Sequence, residues 1–544
     1  MSLFTSLQAR VSTLGPLHLG AGTDYYPTGY VIKAGYLHAF SDQALLHGLG
    51  GSGLSQLAQL AEKGSEDSLL GIQRQIHASA DRLMPLASHS VWVASGVAAL
   101  YDSRIGQVAQ RESGGRRIQN KLQIQRTFAN PYNHQPVIPG SAIKGAIRTA
   151  WLDHLNQGQP AQYDPGNRRD GKESSQDLQK RLLDNRDVTD DPFSLLKISD
   201  APYLHGDDIA ATEVWFSISR KRRQLPNRSP QGVQNLLECI GPWRALAFAF
   251  DIRFMDASRA LRKTTTRAPA NPAELIAVCN NYYLPKLMRE LEELGEREGY
   301  FSQEWQQPLQ NLLSGELGQA LSNGKAMLLR LGKHSGAEDK TLNGVRQIKI
   351  MTGQGKLPEY RDRTTEIRLA AHQPADLKNL LPFGWVLVEF PDSQLPQTHA
   401  FLRQQAEPAY KRKQQEDDWA RTRNEMLHNL EQQALLERQR VEARAAAEAA
   451  EEQRLAERAA LPLEQQAIDA FADKLAKDTA SIGKGLGAPL AEDLRRLVAD
   501  AERWSPEWRA AAHEVLQTAF AHLQVDRKNR KAKELLKRLA DRPA

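Results

Sequence analysis

Lys144 and Arg148 are two cations whose spacing suggests a chemical role. They lie four residues apart, just after the turn Pro139-Gly140 and the predicted helix N-cap Ser141, and Gly145 follows the lysine directly. Residues four apart share one face of a helix, and a glycine leaves the backbone open to close approach. The free N–H groups and the positive dipole end of a helix N-terminus favour an anion. The pattern therefore predicts a phosphate site at the start of a helix.

The helix that positions these cations is predicted from its apolar residues, which recur at four-residue steps: Ile143, Ile147, Trp151 and Leu155. The order Gly140-Ser141 and then Lys144-Gly145 is not that of a Walker A loop, in which Lys-Ser or Lys-Thr follows the second glycine. We therefore do not interpret it as a nucleotide triphosphatase site. A capped surface helix with two solvated cations is the alternative.

A second cationic segment is the run Gly332-Lys-His-Ser-Gly336, with Lys340 beyond it. It follows the predicted strand Met327-Leu-Leu-Arg-Leu331. The backbone N–H groups of such a glycine-rich loop can surround a phosphate. The candidates for binding are Gly332, Lys333, His334 and Gly336. A plain flexible connection is the alternative.

His18 follows the first predicted strand among small residues. It is a candidate phosphate contact or general base, and a histidine that holds a loop by hydrogen bonds is the alternative. Asp24 has the same two interpretations, since aspartate is common in turns. Spacing places no second titratable group beside His18, so we predict no catalytic residue.

Composition sets broad limits. The chain has 544 residues, and 71 Lys and Arg against 65 Asp and Glu give a net charge of +6, which permits a polyanionic partner without identifying one. Cys239 and Cys279 are too few for a structural zinc site or a disulfide scaffold, so no metal and no cofactor are predicted. No apolar run approaches the ~18 residues that span a bilayer, and the N-terminus lacks a basic segment followed by an apolar one. We expect a cytoplasmic protein without a membrane partner.

The predicted fold class is α+β, because strand-like and helix-like segments recur in two successive groups. We predict a first domain over 1–205, with a mobile polar insertion at 156–190, and a second over 206–395. Residues 400–460 have the Ala, Glu, Arg, Gln and Leu composition of a long charged helix, and 461–544 show the apolar stripes of a small helical bundle. A basic finger is predicted around Gly114-Gly115 from five cations: Arg111, Arg116, Arg117, Lys121 and Arg126.

The run Ile138-Pro-Gly-Ser-Ala-Ile-Lys-Gly-Ala-Ile-Arg148 resembles the Ile-Pro-Gly-Ser-x-x-Lys-Gly-x-x-Arg signature of the RAMP superfamily of CRISPR-associated RNA-binding proteins. Further motifs, spread over residues 1–390, occur in the order seen in the family of fifth subunits of type III-A (Csm) effector complexes. They are Leu17-His-Leu-Gly-Ala-Gly22, Pro27-Thr-Gly-Tyr30, Asp191-Pro-Phe-Ser-Leu-Leu-Lys-Ile-Ser-Asp-Ala201, Leu331-Gly-Lys-His-Ser-Gly336 and Gly384-Trp-Val386.

The resemblance implies tandem ferredoxin-like domains and a non-catalytic subunit that binds the 3′ side of the guide RNA (crRNA) and supports crRNA maturation and antiviral defence. It implies as partners the crRNA, a neighbouring RAMP backbone subunit and the small helical subunit of the Csm complex, with host nucleases as a further class. The predicted RNA-facing residues are Gly140, Ser141, Lys144, Gly145, Arg148, Gly332, Lys333, His334, Gly336 and His18.

Two alternatives remain open from the sequence. One is a metal-independent endoribonuclease that cleaves repeat RNA, with His18 as base and Lys144 or Lys333 stabilising the charge on phosphorus. The other is an interaction protein whose helical C-terminal part is the functional one.

Overall fold

A computed structural model describes residues 4–111, 117–119, 122–164, 171–205, 208–222, 235–256, 267–296, 301–351, 355 and 357–540. The chain is mixed α+β and divides into two compact units, Met1–Leu427 and His428–Ala544. Within the described residues, no helix combines the length and the apolar character needed to cross a membrane.

The strands are β1 (Phe4–Thr13), β2 (Gly20–Tyr25), β3 (Tyr30–Lys33), β4 (Tyr36–Ala39), β5 (His89–Val93), β6 (Val108–Arg111), β7 (Arg117–Gln119), β8 (Ile124–Thr127), β9 (Val137–Ile138), β10 (Leu196–Ile198), β11 (Ala201–Pro202), β12 (Thr212–Lys221), β13 (Asn235–Ile240), β14 (Phe248–Met255), β15 (Ala326–Arg330), β16 (Ile348–Ile350), β17 (Glu359–Arg361), β18 (Glu366–Ala371), β19 (Leu381–Pro382) and β20 (Trp385–Glu389).

The α-helices are α1 (Asp42–Glu62), α2 (Glu66–Ala78), α3 (Ala80–Leu83), α4 (Ser95–Arg104), α5 (Gly140–Asn156), α6 (Ser175–Leu183), α7 (Pro272–Gly295), α8 (Gln303–Ser314), α9 (Glu316–Ser322), α10 (Pro396–Gln405), α11 (Glu407–Ala460), α12 (Leu463–Lys477), α13 (Leu490–Ala501), α14 (Pro506–Leu523) and α15 (Arg530–Leu539). Short 3₁₀ turns lie at Met84–Leu86, Val188–Asp190, Pro192–Leu195, Glu338–Lys340 and Gly485–Gly487.

The first sheet is antiparallel, with the order β10-β14-β1-β20-β15 among the described strands. Its central strand β1 alternates as its sequence predicts, because Ala9 and Val11 are buried while Gln8 and Arg10 are exposed. Helix α7 packs on β15, and α5 packs on α7. These contacts fix α5 on the helical side of this sheet.

The second sheet has the order β2-β8-β13-β12-β5-β4-β3 among the described strands, and β18 pairs with β12 and with β19. The pairs β12–β5 and β13–β8 are parallel, and the others are antiparallel. Each sheet draws strands from both sides of residue 205, and one apolar core continues from Ala9 to Ala409. The boundaries of the four predicted segments stay a prediction.

The polar segment predicted as a mobile insertion contains an ordered helix in its described part. Leu178, Leu182 and Leu183 of α6 are buried, and the helix packs against α5. Burial of these leucines ties the segment to the core of the first unit.

The segment predicted as one helix from 400 to 460 is two helices, α10 and α11, which meet at Ala406. Three side chains attach the first turns of α11 to the first unit. Arg412 donates to the buried Glu213 at 2.7 Å, Trp419 contacts the Tyr36 ring edge-on, and Arg423 donates to the carbonyl of Ala87.

The second unit has an apolar core of its own, formed by residues of α12 to α15. It includes Phe471, Leu494, Leu516, Phe520 and Leu535. The residues of α11 from 428 to 460 are mostly exposed.

Candidate nucleic-acid interface

Helix α5 begins two residues earlier than predicted, at Gly140, and Pro139 is its N-cap. Ser141 is exposed and does not cap it, so that prediction was wrong. The N–H of Gly140 instead donates to Oδ1 of Asp200 at 2.7 Å. Asp200 follows β10, which lies beside the helix start. A carboxylate of the protein itself therefore occupies part of the anion-binding position.

The two glycines of the signature have different surroundings. A Cβ on Gly140 would lie 2.5 Å from the carbonyl oxygen of Ile198 and 2.7 Å from that of Ser199, so only glycine fits. A Cβ on Gly145 would meet nothing within 4 Å, and this glycine is exposed. Gly140 serves packing, whereas Gly145 leaves an open patch of helix backbone.

Lys144 and Arg148 have partners inside the protein. Lys144 Nζ donates to the carbonyl of Leu196 at 2.7 Å, and burial, reinforced by nearby Lys197, lowers the pKa of its ammonium group. Arg148 donates through Nη1 to Asp191 Oδ2 at 2.7 Å and lies 5.0 Å from the centre of the Phe193 ring. The cations of the signature thus hold the segment from Asp191 to Leu196.

The glycine-rich loop lies against the His18 segment. Gly332 has φ +77°, and a Cβ there would lie 2.4 Å from the carbonyl oxygen of His18. That oxygen accepts a hydrogen bond from the N–H of Lys333 at 2.9 Å. Ser335 Oγ closes the loop by donating to the Gly332 carbonyl at 3.0 Å. The fold therefore joins two segments that are more than 300 residues apart in sequence.

Cations surround His334 in this loop. Burial is the first cause that lowers the pKa of its imidazole to about 3, and the positive charges of Arg368, Lys333 and Lys340 add to it together with His18. Arg368 comes from β18, and Lys333 and Lys340 are exposed. His334, Lys340 and Arg368 line a cavity of about 340 Å³. Because His334, Lys340 and Arg368 line the same cavity, these cations share one small region with the imidazole.

The rim of this cationic region includes two residues that the sequence did not indicate, Gln125 and Arg368. Lys333 Nζ donates to the side chain of Gln125, so the cationic region extends from the glycine-rich loop to β8. Lys340 Nζ donates to the Gly332 carbonyl at 2.9 Å and supports the loop. Arg368 lies in the run Glu366-Ile-Arg-Leu369, whose alternation predicts a strand but does not show which loop lies beside it.

His18 is buried, with 1% of its surface exposed. Its Nδ1 lies 2.7 Å from the carbonyl oxygen of Glu238, which can only accept, so Nδ1 carries the proton. Burial lowers the pKa of the imidazole. This geometry is that of a histidine that holds its loop. Asp24 lies on β2, opposite Gln125.

Strands β6 and β7 of the basic finger pair with each other. Arg116, Lys121 and the Gly114-Gly115 turn lie outside the described residues. Arg126 stacks over the Tyr25 ring at 4.5 Å. In the part of the chain that the structure describes, no group of three His, Cys, Asp or Glu side chains is arranged to hold a metal ion, and both cysteines are buried free thiols.

The sequence model of the RAMP superfamily matches residues 10–301, more than half of the chain. The chain therefore belongs to the RAMP superfamily.

Among curated proteins, the chain is similar to the "CRISPR system Cms protein Csm5" of two Mycobacterium tuberculosis strains, CDC 1551 / Oshkosh and ATCC 25618 / H37Rv. Identity to each is 24% over 165 residues, which are 27% of this chain and 42% of the relative. The match thus spans less than half the length of these relatives.

Among solved structures, the chain is similar to the crystal structure of T. onnurineus Csm5, with 17% identity, a TM-score of 0.40 and coverage of 70% of this chain and 99% of that one. It is also similar to a chain of the cryo-EM structure of a Csm–crRNA–target RNA ternary complex of a type III-A CRISPR-Cas system. In that case identity is 16%, the TM-score is 0.41, and coverage is 71% of this chain and 100% of that one.

Proposed function

We propose that this protein is a non-catalytic RNA-binding subunit of a type III-A CRISPR effector complex, equivalent to Csm5, and that it binds the crRNA at its 3′ side. Membership of the RAMP superfamily and similarity to proteins named Csm5 support the proposal. The observation that carries it is the group of Lys333, Lys340 and Arg368 around the glycine-rich loop.

This loop suits a sugar-phosphate backbone for two reasons. Lys333 and Lys340 are exposed residues whose positive charges can neutralise phosphates, which is the main source of affinity in protein–nucleic acid complexes. Gly332 and Gly336, at φ +77° and +88°, keep the loop backbone narrow. Contacts of this kind fix the position of a strand without reading its sequence.

The start of α5 forms a second contact set in the proposal. Lys144 and Arg148 are engaged by internal partners, so they would contact RNA through the surface that those partners leave open, whereas the buried Gly140 holds the start of the helix in place. Ser141 and Gly145 are exposed there. In this proposal His18 positions the loop and does not itself contact the phosphate.

The broader role follows from the same comparison. We propose a tandem ferredoxin-like arrangement in which each of the two sheets takes strands from both sides of residue 205. The neighbouring RAMP backbone subunit and the small helical subunit are proposed partners, host nucleases are a further class, and crRNA maturation and antiviral defence in the cytoplasm are the proposed context.

The test of RNA contact is the salt dependence of crRNA binding. Lys333→Ala combined with Arg368→Ala should weaken binding of unrelated RNA sequences alike. It should also reduce the slope of log K against log salt by roughly two, about one per lost phosphate contact. Fluorescence anisotropy with labelled RNA at several salt concentrations measures both quantities.

A charge-matched control is Lys378→Ala with Arg403→Ala, which removes two exposed cations elsewhere in the first unit. The control should keep the wild-type slope. If the variant with Lys333→Ala and Arg368→Ala also keeps the wild-type slope, Lys333 and Arg368 do not contact RNA. Lys144→Ala with Arg148→Ala tests the second contact set at the start of α5. This double variant should also reduce the slope of log K against log salt by about two relative to the wild type.

The non-catalytic part of the proposal has its own test. The protein is incubated with repeat RNA in EDTA, and the products are separated on a gel. We expect intact RNA, because the buried His18 has one ring nitrogen engaged by Glu238. Cleavage that disappears in His18→Ala would contradict the proposal and favour the endoribonuclease.

The role of the C-terminal part is tested by truncation. A chain that ends at Leu427 keeps the α11 side chains that pack on the first unit, such as Arg412 and Arg423. A chain that ends at Phe390 removes them. If the chain that ends at Phe390 binds RNA and the other subunits as the full chain does, the C-terminal part is accessory.

A further inference from the structure

A second cavity, of about 320 Å³, lies next to the glycine-rich loop that contains Gly332 and Gly336. It is lined by α7 residues, including Tyr282 and Lys286, and by Glu338 and Asp339 of the short turn that follows the glycine-rich loop. It shares Arg222 and Arg330 with the cavity at His334. The two cavities therefore lie on either side of one short segment of chain.

Three buried polar atoms in this second cavity have no hydrogen-bond partner among the described residues: Lys286 Nζ, Asp339 Oδ1 and Glu338 Oε2. Lys286 Nζ lies 4.0 Å from Asp339 Oδ1, which is too far for a hydrogen bond. Asp339 is 4% exposed. Buried polar atoms are nearly always bonded, so three unbonded atoms in one cavity point to a ligand.

The remaining oxygens of both carboxylates are occupied, which fixes how the unbonded ones face. Asp339 Oδ2 accepts from Arg330 Nη1 at 2.7 Å, and Glu338 Oε1 accepts from Thr364 Oγ1 at 2.7 Å. Lys286 Nζ lies over the Tyr282 ring, 2.8 Å from its centre. A neighbouring residue thus holds each of the three side chains in place, while one polar atom of each side chain makes no hydrogen bond.

The chemistry of these atoms selects a hydroxyl group. Two carboxylate oxygens repel an anion, and Lys286 with the buried Arg330 repels a cation. A hydroxyl donates its proton to a carboxylate oxygen and accepts from an ammonium group through its own oxygen, so it satisfies both kinds of atom. Burial lowers the pKa of the Lys286 ammonium group to about 7, although the negative charge of Asp339, 4.0 Å away, opposes that shift.

We propose that this cavity binds the ribose hydroxyls of one nucleotide of the RNA, with Asp339 and Glu338 as acceptors and Lys286 as donor. The inference rests on the proposed RNA-binding function and adds a site that distinguishes RNA from DNA, since the 2′-hydroxyl is the group that DNA lacks. The exposed Arg289 on the cavity wall is placed for an adjacent phosphate.

The test is a scan of single 2′-deoxy substitutions along an RNA oligonucleotide, bound to the full-length protein. In the wild type, one position should lose about tenfold in affinity, the effect of one hydrogen bond to a charged group. In Lys286→Met the same substitution should cost less than in the wild type, because one of the partners of that hydroxyl is already gone and only the carboxylate acceptors remain. Lys378→Met, at an exposed lysine outside this cavity, should keep the tenfold loss.

The scan compares RNAs on the same variant, so partial misfolding does not imitate the result. The melting temperature of Lys286→Met is measured alongside the scan, because the substitution removes the contact with the Tyr282 ring and the ion pair with Asp339. A wild-type protein that binds RNA but shows a flat scan, or the same loss in Lys286→Met, overturns the ribose site alone. A wild-type protein that binds no RNA overturns the proposed function, and the ribose site with it.

Discussion

The two glycines of the α5 signature give a matched pair of substitutions with opposite expected effects. In Gly140→Ala the new methyl group would meet the carbonyl oxygens of Ile198 and Ser199 at 2.5 and 2.7 Å. These are backbone atoms, so they cannot rotate away. In Gly145→Ala the methyl group meets nothing within 4 Å on a helix surface.

The magnitudes follow from these contacts. Overpacking against backbone should cost Gly140→Ala about 2–3 kcal/mol of the free energy of unfolding. Replacing an exposed helical glycine by alanine should stabilise Gly145→Ala by about 1 kcal/mol. With an unfolding entropy of about 2.1 cal/mol/K per residue, the first unit, residues 1–427, loses or gains about 1 °C in melting temperature per kcal/mol.

Thermal unfolding of both full-length variants measures the difference. Gly140→Ala should melt about 2–3 °C below the wild type, and Gly145→Ala about 1 °C above it. RNA binding then separates packing from contact, because Gly145→Ala should bind RNA more weakly if that open backbone approaches a phosphate. Equal melting temperatures for the two variants would refute the assignment of Gly140 to packing and Gly145 to open surface.

Two further predictions concern buried charge. Arg330→Met should lower the free energy of unfolding by about 3–5 kcal/mol, because it leaves the buried carboxylates of Glu290 and Asp339 without their main partner; a melting temperature equal to that of the wild type would contradict this. Burial lowers the pKa of His38 to about 4, below its unfolded value near 6.5, so the stability it contributes is present above pH 6.5 and is lost as the pH falls toward 4. Between pH 8 and pH 5 this amounts to about 2 kcal/mol, and His38→Gln should show a smaller acid shift of the melting temperature than the wild type.

Periodicity was enough to predict α5. Ile143, Ile147 and Trp151 are buried at the predicted four-residue steps. The cap was not predictable, because the group that accepts from the helix start belongs to Asp200, which is distant in sequence. The same limit explains the partners of Lys144 and Arg148: spacing shows that two cations share a face but not which carbonyl or carboxylate that face meets.

The cationic loop illustrates the same division. Its glycines and Lys333 were evident as a turn after a strand, and Gly332 and Gly336 do have positive φ. Arg368 and Gln125 lie near this loop only because the second sheet pairs strands that are distant in sequence. The unbonded atoms of Lys286, Glu338 and Asp339 were not visible at all, since being without a partner is a property of a site and not of a residue type.

The sequence by itself determined the local features: the amphipathic helix, the glycine turns, the absence of a membrane-spanning apolar run and the motifs of the RAMP superfamily. These depend on residues close together in the chain, whose spacing fixes which side chains share a face. Only the tertiary structure decided which charges face solvent and which are used internally. That choice depends on strands and loops hundreds of residues apart, and the packing of the two sheets brings them within hydrogen-bond distance.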